Sequence, residues 1–469
     1  MTHASKSVFF LTAALTLGSA PAVSDRAVDE IFAAYSKPGA PGCAVGVIRD
    51  SKLVFGRGYG LANIEHDIPL TSKTVFDIGS TSKQFTAAAI LLLEQQGKLS
   101  VDDDVRKFVP EVPPYGQTVT IRHLLHHTSG IRDYLTLMSV AGVNFDGVTT
   151  DDDALKLIVR QKALNFTPGS EHLYSNSGYF LLSVIVKRAS GKTLRAFADE
   201  HIFAPLEMRD THFHDDHTMP VPRRASAYAP QPQGTFRIDM SGFEQTGDGA
   251  VYTTVEDLAK WDRNFYDPKV GGQALVDALL RTGVLSDGRS LPYAAGLVHG
   301  KYKGLTIVSH GGSWAGYRAD LVRFPDQRLS VICLCNRADG NPGAKARQVA
   351  EVFLATDIAP EQRGATPTAP AAPRTPPAGS VAPIAPAELA QFAGNYYSEE
   401  LDITSRLSIE NGKLAYSGPA GPSRTLDARG RDSFGSGPWQ LEMMRDGAGN
   451  VTGFLLHAGR IRGLRFTKR

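Results

Sequence analysis

Ser80 and Lys83 stand three positions apart, and together they could perform nucleophilic chemistry. A serine hydroxyl is a weak nucleophile and needs a base within reach. A buried lysine can be that base, because desolvation favours its neutral amine. On a helix, a spacing of three puts both side chains on one face. A helix N-terminus also offers free backbone N–H groups and a positive dipole end, which suit an oxyanion. S-x-x-K alone is a common string, and a serine cap beside a solvated lysine is spelled the same way. The residues that follow favour the chemical reading. Residues 84–93 carry no charge, and 87–93 are apolar at every position. A helix apolar on all sides is buried, and Gly97 marks its end.

Two further groupings could complete such a site. Tyr174-Ser175-Asn176 lies at a loop-to-helix junction after Pro168-Gly169. A phenol near a lysine ammonium is expected to have a lowered pKa and can carry protons. The Asn176 amide can hold a substrate carbonyl and orient the lysine. Taken alone, the pair reads equally as a packed tyrosine and a helix cap. Ser309-His310-Gly311-Gly312-Ser313 follows the apolar run 305–308. Glycines there would let a substrate backbone approach closely. The N–H of Ser313 could be a second oxyanion donor, opposite that of Ser80. The plain alternative is a hairpin turn with a surface histidine.

Other histidines do not compete. His212, His214 and His217, with Asp215 and Asp216, lie in a Pro-rich polar loop without zinc-enzyme spacing. His123, His126 and His127 lack the glutamate of a zinc-protease helix, so packing or capping is expected of them. No metal and no cofactor is expected. No G-x-S-x-G elbow occurs, which argues against an α/β-hydrolase.

The elements that must position these residues follow from the pattern. Residues 43–48 and 53–55 flank Asp50-Ser51-Lys52 as a hairpin. Helices are expected at 28–35, 121–127 (capped by Thr120), 151–164, 176–189 and 255–265. Short β-type runs follow at 293–298, 305–309, 319–324 and 329–335, then a helix at 344–355. Strands at both ends and helices between predict an α+β domain: an antiparallel sheet flanked by helices, with a helical insertion. Residues 359–386 contain eight prolines and read as a linker. Residues 387–469 alternate short strands with glycine turns, the pattern of a small all-β barrel or sandwich.

Composition bounds the partners. The chain has 469 residues, 42% hydrophobic and 21% charged, with a net charge of +2. Nothing here favours nucleic acid or an anionic membrane. A small molecule or short peptide is the expected partner. Residues 1–22 resemble a secretory signal: Lys6, an apolar stretch at 8–17, and Ala20-Pro21-Ala22 as a cleavage site. A periplasmic or secreted protein without stable membrane insertion is therefore expected, with its hydrolase domain at 23–358. Three cysteines make no disulfide framework, and Cys43, Cys333 and Cys335 are expected as small core residues.

The order S-x-x-K, Y-x-N, H-x-G resembles the serine β-lactamase and penicillin-recognising superfamily, over roughly residues 25–355. The tyrosine version is similar to the class C branch, which includes D-aminopeptidases, D-alanyl-D-alanine carboxypeptidases and related esterases. The stretches 121–130 and 247–254 support it. The resemblance implies that Ser80 is acylated and that Lys83 and Tyr174 share the acid–base work, in an order left open. It implies that Asn176 positions substrate and lysine, and that His310 and Gly312 line the edge strand. β-Lactamases of this branch carry lysine where this chain has His310, a weaker carboxylate binder at neutral pH. Peptidase or esterase chemistry is therefore expected ahead of β-lactamase or penicillin-binding activity. A catalytically silent binding protein is the remaining alternative.

Overall fold

The structure is a computed structural model that describes residues 23–359 and 384–469. The expected signal segment and most of the expected linker lie outside the described residues. Six antiparallel strands form the main sheet, in the order Val298–Tyr302, Leu305–Trp314, Tyr317–Phe324, Leu329–Cys335, Cys43–Arg49, Lys52–Tyr59. The first strands of the chain thus close against the last strands of the domain, as expected of a sheet built from both termini. Central strands read as nearly continuous apolar runs because both faces are covered. Ala44 and Ile48 face the core shared with the helical region. Cys43, Val45 and Val47 face the other core, beneath helices Val23–Phe32 and Pro342–Phe353.

Cys43 and Cys335 face each other in register on neighbouring strands and form a disulfide. The expectation of three unbridged cysteines fails for these two. Their separation of 292 residues hid a pairing that only the sheet creates. Cys333 keeps a free, buried thiol.

Element boundaries also differ, in three places by enough to matter for the site. The strand Leu305–Trp314 runs through His310 and both glycines, with no turn there. Its partner Val298–Tyr302 covers only Leu305 to Ser309, so the stretch 310–314 is an open edge. Residues 293–297 form no strand, although Tyr293 bridges Val298. There Gly296 adopts φ +75°, and a Cβ on it would lie 2.6 Å from the Gln84 amide, so the segment packs on the buried helix instead. The helix Asp151–Val159 stops short of 164, because the chain beyond it turns to meet the C-terminal domain.

That domain is a closed eight-stranded barrel, from Gly394–Ser398 to Ile461–Lys468. Leu137 and Val140, from helix Tyr134–Val140, complete its core. A buried ion pair joins Arg132 to Glu400 at 2.5 Å. Among the described residues no helix is long and apolar enough to cross a membrane.

Candidate active site

The turn that carries Ser80 is the 3-10 segment Gly79–Ser82, which runs into the buried helix Lys83–Gln95. Gly79 adopts φ +48°, and a Cβ there would lie 2.7 Å from the Ser313 amide nitrogen. A Cβ on Gly312 would lie 1.8 Å from the Ile78 carbonyl. The turn and the open edge strand therefore touch backbone to backbone, and only glycine fits at either position. Gly312 makes room for the Ser80 turn rather than for a substrate backbone, which corrects the reason given for that glycine. Further bonds fix the turn: Thr81 Oγ1 to the His310 carbonyl (3.2 Å), the Val251 amide to Ser82 Oγ (3.0 Å) and Thr86 Oγ1 to the Gly247 carbonyl (2.7 Å).

Lys83 is fully buried. Its Nζ donates to Ser80 Oγ at 3.1 Å, to Asn176 Oδ1 at 3.0 Å and to the Asp248 carbonyl at 2.5 Å. None of these three acceptors is a carboxylate. Burial pushes the amine down to about 7, against the opposing pull of the nearby Asp248 carboxylate. Arg460 adds to the lowering, and Asp133 opposes it. Asn176 opens the helix Asn176–Ser190 and donates its backbone N–H to Asp133 Oδ2 at 2.7 Å. Its side chain is thereby free to hold the lysine.

Tyr174 lies beside the pair, with Lys83 Nζ 4.9 Å from its ring centre. Its phenol is buried and meets no hydrogen-bond partner of good geometry among the described residues. Burial pushes its pKa up, outweighing the smaller lowering influences of Ser80 and Arg460. The expected lowering of this phenol is thus reversed. The cation meant to cause it is itself driven towards neutrality by the same burial.

His310 is buried rather than on the surface. Its Nδ1 lies 2.7 Å from the Gly311 carbonyl and its Nε2 lies 3.2 Å from the Tyr293 hydroxyl. Burial first, then Lys83, lowers its pKa to about 4, so it is neutral at physiological pH. Ser80, Tyr174, Asn176, His310, Gly312 and Ser313 all line one cleft of about 530 Å³, with Lys83 behind its wall. The structure brings together every residue expected at the site.

Residues 28–355 match the Beta-lactamase family. The chain belongs to that family. The match agrees with the span expected from the three motifs. The D-aminopeptidase of Gluconobacter oxydans is 30% identical over 70% of this chain and 62% of its own length. Penicillin-binding protein 4* of Bacillus subtilis is 31% identical over 61% of this chain and 66% of its own. The chain thus spans under two thirds of the length of either relative. Among solved structures, the octameric penicillin-binding protein homologue from Pyrococcus abyssi superposes with a TM-score of 0.63. It is 22% identical and covers 95% of this chain and 99% of its own, so this Beta-lactamase-family chain shares its fold, barrel included.

The other histidines fall where packing puts them. His123 caps its helix through the Thr120 amide, and His126 packs by Gly283. His127 lies behind Tyr174, ring centres 4.1 Å apart. His212 sits on the short strand His212–Phe213, not in a loop, and pairs with His214 at 3.2 Å. Asp216, His217 and Glu244 bring donor atoms within 4.8 Å of one another, but none of them lines the cleft.

Several site residues were missed in the sequence. Asp133 and Asp248 steer Lys83, Tyr134 donates to Asp248 Oδ2 at 3.1 Å, and Tyr293 backs His310. Asp248 had a signal, because it lies in the Gly-Asp-Gly stretch that supported the resemblance. Arg460, which lines the cleft from the barrel, had none.

Proposed function

We propose that this chain is an exported serine hydrolase that cleaves amides or esters, D-amino-acid peptides among them, through an acyl-enzyme. The observation that carries the reading is Lys83, buried and held on Ser80 Oγ by neutral acceptors. The raised phenol and the lowered amine support Lys83 as the first proton acceptor. The neutral amine takes the Ser80 proton as Oγ bonds to the substrate carbonyl carbon. The resulting oxyanion fits the backbone N–H groups of Ser80 and Ser313. As the intermediate collapses, the proton passes from Lys83, with Tyr174 as relay, to the leaving nitrogen or oxygen. Water then attacks the acyl ester in the reverse sense, gives up its proton to the same pair, and frees the acid and Ser80.

The D-aminopeptidase relative supports amide substrates. The leader-like first 22 residues and the disulfide support export to an oxidising compartment. Ser80→Ala should abolish hydrolysis of a p-nitrophenyl ester while circular dichroism stays unchanged. A fluorophosphonate should label Ser80 of the wild type. Turnover by the Ser80→Ala protein at the wild-type rate rejects the proposal.

The penicillin-binding relative favours a second reading, in which a β-lactam or carboxypeptidase substrate acylates Ser80. A stable mass adduct with a labelled penicillin supports it, and nitrocefin turnover supports a lactamase. The neutral His310 speaks against efficient lactam hydrolysis.

A further inference from the structure

The turn between strands Val451–Ala458 and Ile461–Lys468 carries Gly459 and Arg460. From it the Arg460 side chain leaves the barrel and lies over the Tyr174 ring, 4.7 Å from its centre. It lines the same cleft as Ser80. The backbone of this turn is tied to the catalytic domain. Asn165 Nδ2 donates to the Arg460 carbonyl at 3.0 Å, and Asn165 Oδ1 accepts from the Arg462 amide at 2.7 Å. Arg132 donates to the Arg462 and Gly463 carbonyls at 3.1 and 3.0 Å.

The guanidinium itself is only loosely held. It makes no hydrogen bond among the described residues. Its one close carboxylate is Asp133 Oδ2, at 3.6 Å. Asp133 already accepts from the Asn176 amide at 2.7 Å and from Thr136 N and Oγ1 at 2.9 Å each. The other cation of the cleft, Arg318, donates to the Ala315 and Tyr317 carbonyls at 2.7 and 2.6 Å. The cleft carboxylates Asp248 and Asp320 have their own partners, Tyr134 and Arg347. Asp77 accepts from the Gly79 amide. Apart from its loose ion pair with Asp133, Arg460 keeps its donors for something else. A guanidinium grips a carboxylate through two parallel N–H bonds.

The chemistry says where that carboxylate belongs. A proton relay must stand beside the leaving atom, so the leaving group lies on the Tyr174 side, away from the Ser80 and Ser313 amides. Arg460 covers that side. We propose that Arg460, lent to the cleft by the C-terminal barrel, is a specificity-determining residue that binds a carboxylate on the leaving group. The preferred substrates are amides or esters whose departing amine or alcohol is anionic. This rests on the hydrolase reading above.

A matched pair of esters tests it on the full chain: 3-acetoxybenzoate and its methyl ester, whose leaving groups differ in charge and by one methyl group. Arg460→Gln should lower kcat/KM for the acid about 10- to 100-fold, the value of a charge-assisted hydrogen-bond pair, chiefly through KM. The methyl ester should change less than about twofold. Arg460→Lys should restore part of the loss on the acid only. Equal losses on both esters, or no loss on either, overturn the proposal. Equal losses with a displaced pH profile mean that Arg460 acts through Lys83 instead. If Ser80→Ala hydrolyses both esters like the wild type, or neither ester is turned over, the hydrolase reading itself fails. Ser80-dependent turnover without charge discrimination sinks only the role of Arg460.

Discussion

Two of the long cationic side chains buried in this molecule, Arg132 and Lys83, are kept in opposite ways. Arg132 is 1% exposed and sits against the Glu400 carboxylate, the Gln161 amide and two barrel carbonyls. Lys83 is equally buried, but a hydroxyl, an amide oxygen and a backbone carbonyl surround it, with no carboxylate in contact. Arginine cannot shed its proton in a protein, so burying it requires a counter-charge. Lysine can shed its proton, and burial without a counter-charge drives it to do so. The first arrangement holds two domains together, and the second lowers the pKa of an amine, as the proposed base requires. The two are linked in sequence as well, because Arg132 and the Asn176 partner Asp133 are adjacent.

The sharpest way to break this contrast is to remove the base. Lys83→Ala should cost at least about 10³-fold in kcat, near the loss from Ser80→Ala, because the two act as a unit. Its melting temperature should hold or rise, since a desolvated amine is lost. A melting temperature that collapses instead would make Lys83 a structural residue like Arg132. Next in size is the counter-charge. Glu400→Ala leaves Arg132 buried and unpaired and should destabilise the protein by about 3–5 kcal/mol, read by urea denaturation. The double variant Arg132→Met, Glu400→Leu should recover much of that loss. The smallest effect is in the pH profile. Because Lys83 must be neutral to act, kcat/KM should fall about tenfold per pH unit below about 7 and level off above it. Asp248→Asn removes the charge that favours the ammonium, so the rising limb should move to lower pH. A limb that stays in place would mean that another group titrates there.

Local regularities made much of the site legible. Ser80 and Lys83 are three apart on a segment apolar enough to be buried, and spacing alone puts them on one face. The barrel was equally readable, since Asn411-Gly412 with positive φ between alternating strands is a hairpin signal. Harder to read were features made by distant partners. The phenol of Tyr174 was expected to be acidified by a neighbouring charge, but burial, which no string of residues displays, reversed the direction. Gly312 was rightly singled out, though its reason is the Ile78 carbonyl, 234 positions earlier in the chain (312 − 78). The Cys43–Cys335 bridge escaped for the same cause: its halves meet only when first and last strands pair.

What the chain order determined, then, was which chemistry is available: a hydroxyl, an amine, a phenol and an amide on elements whose periodicity fixes their direction. Tertiary structure decided the states and surroundings of those groups. Desolvation depends on every atom within several ångströms, and most of those atoms come from elsewhere in the chain. So it is the fold that lowers the Lys83 amine and keeps His310 neutral. It is also the fold that carries Arg460 from the far end of the chain to the face of Tyr174.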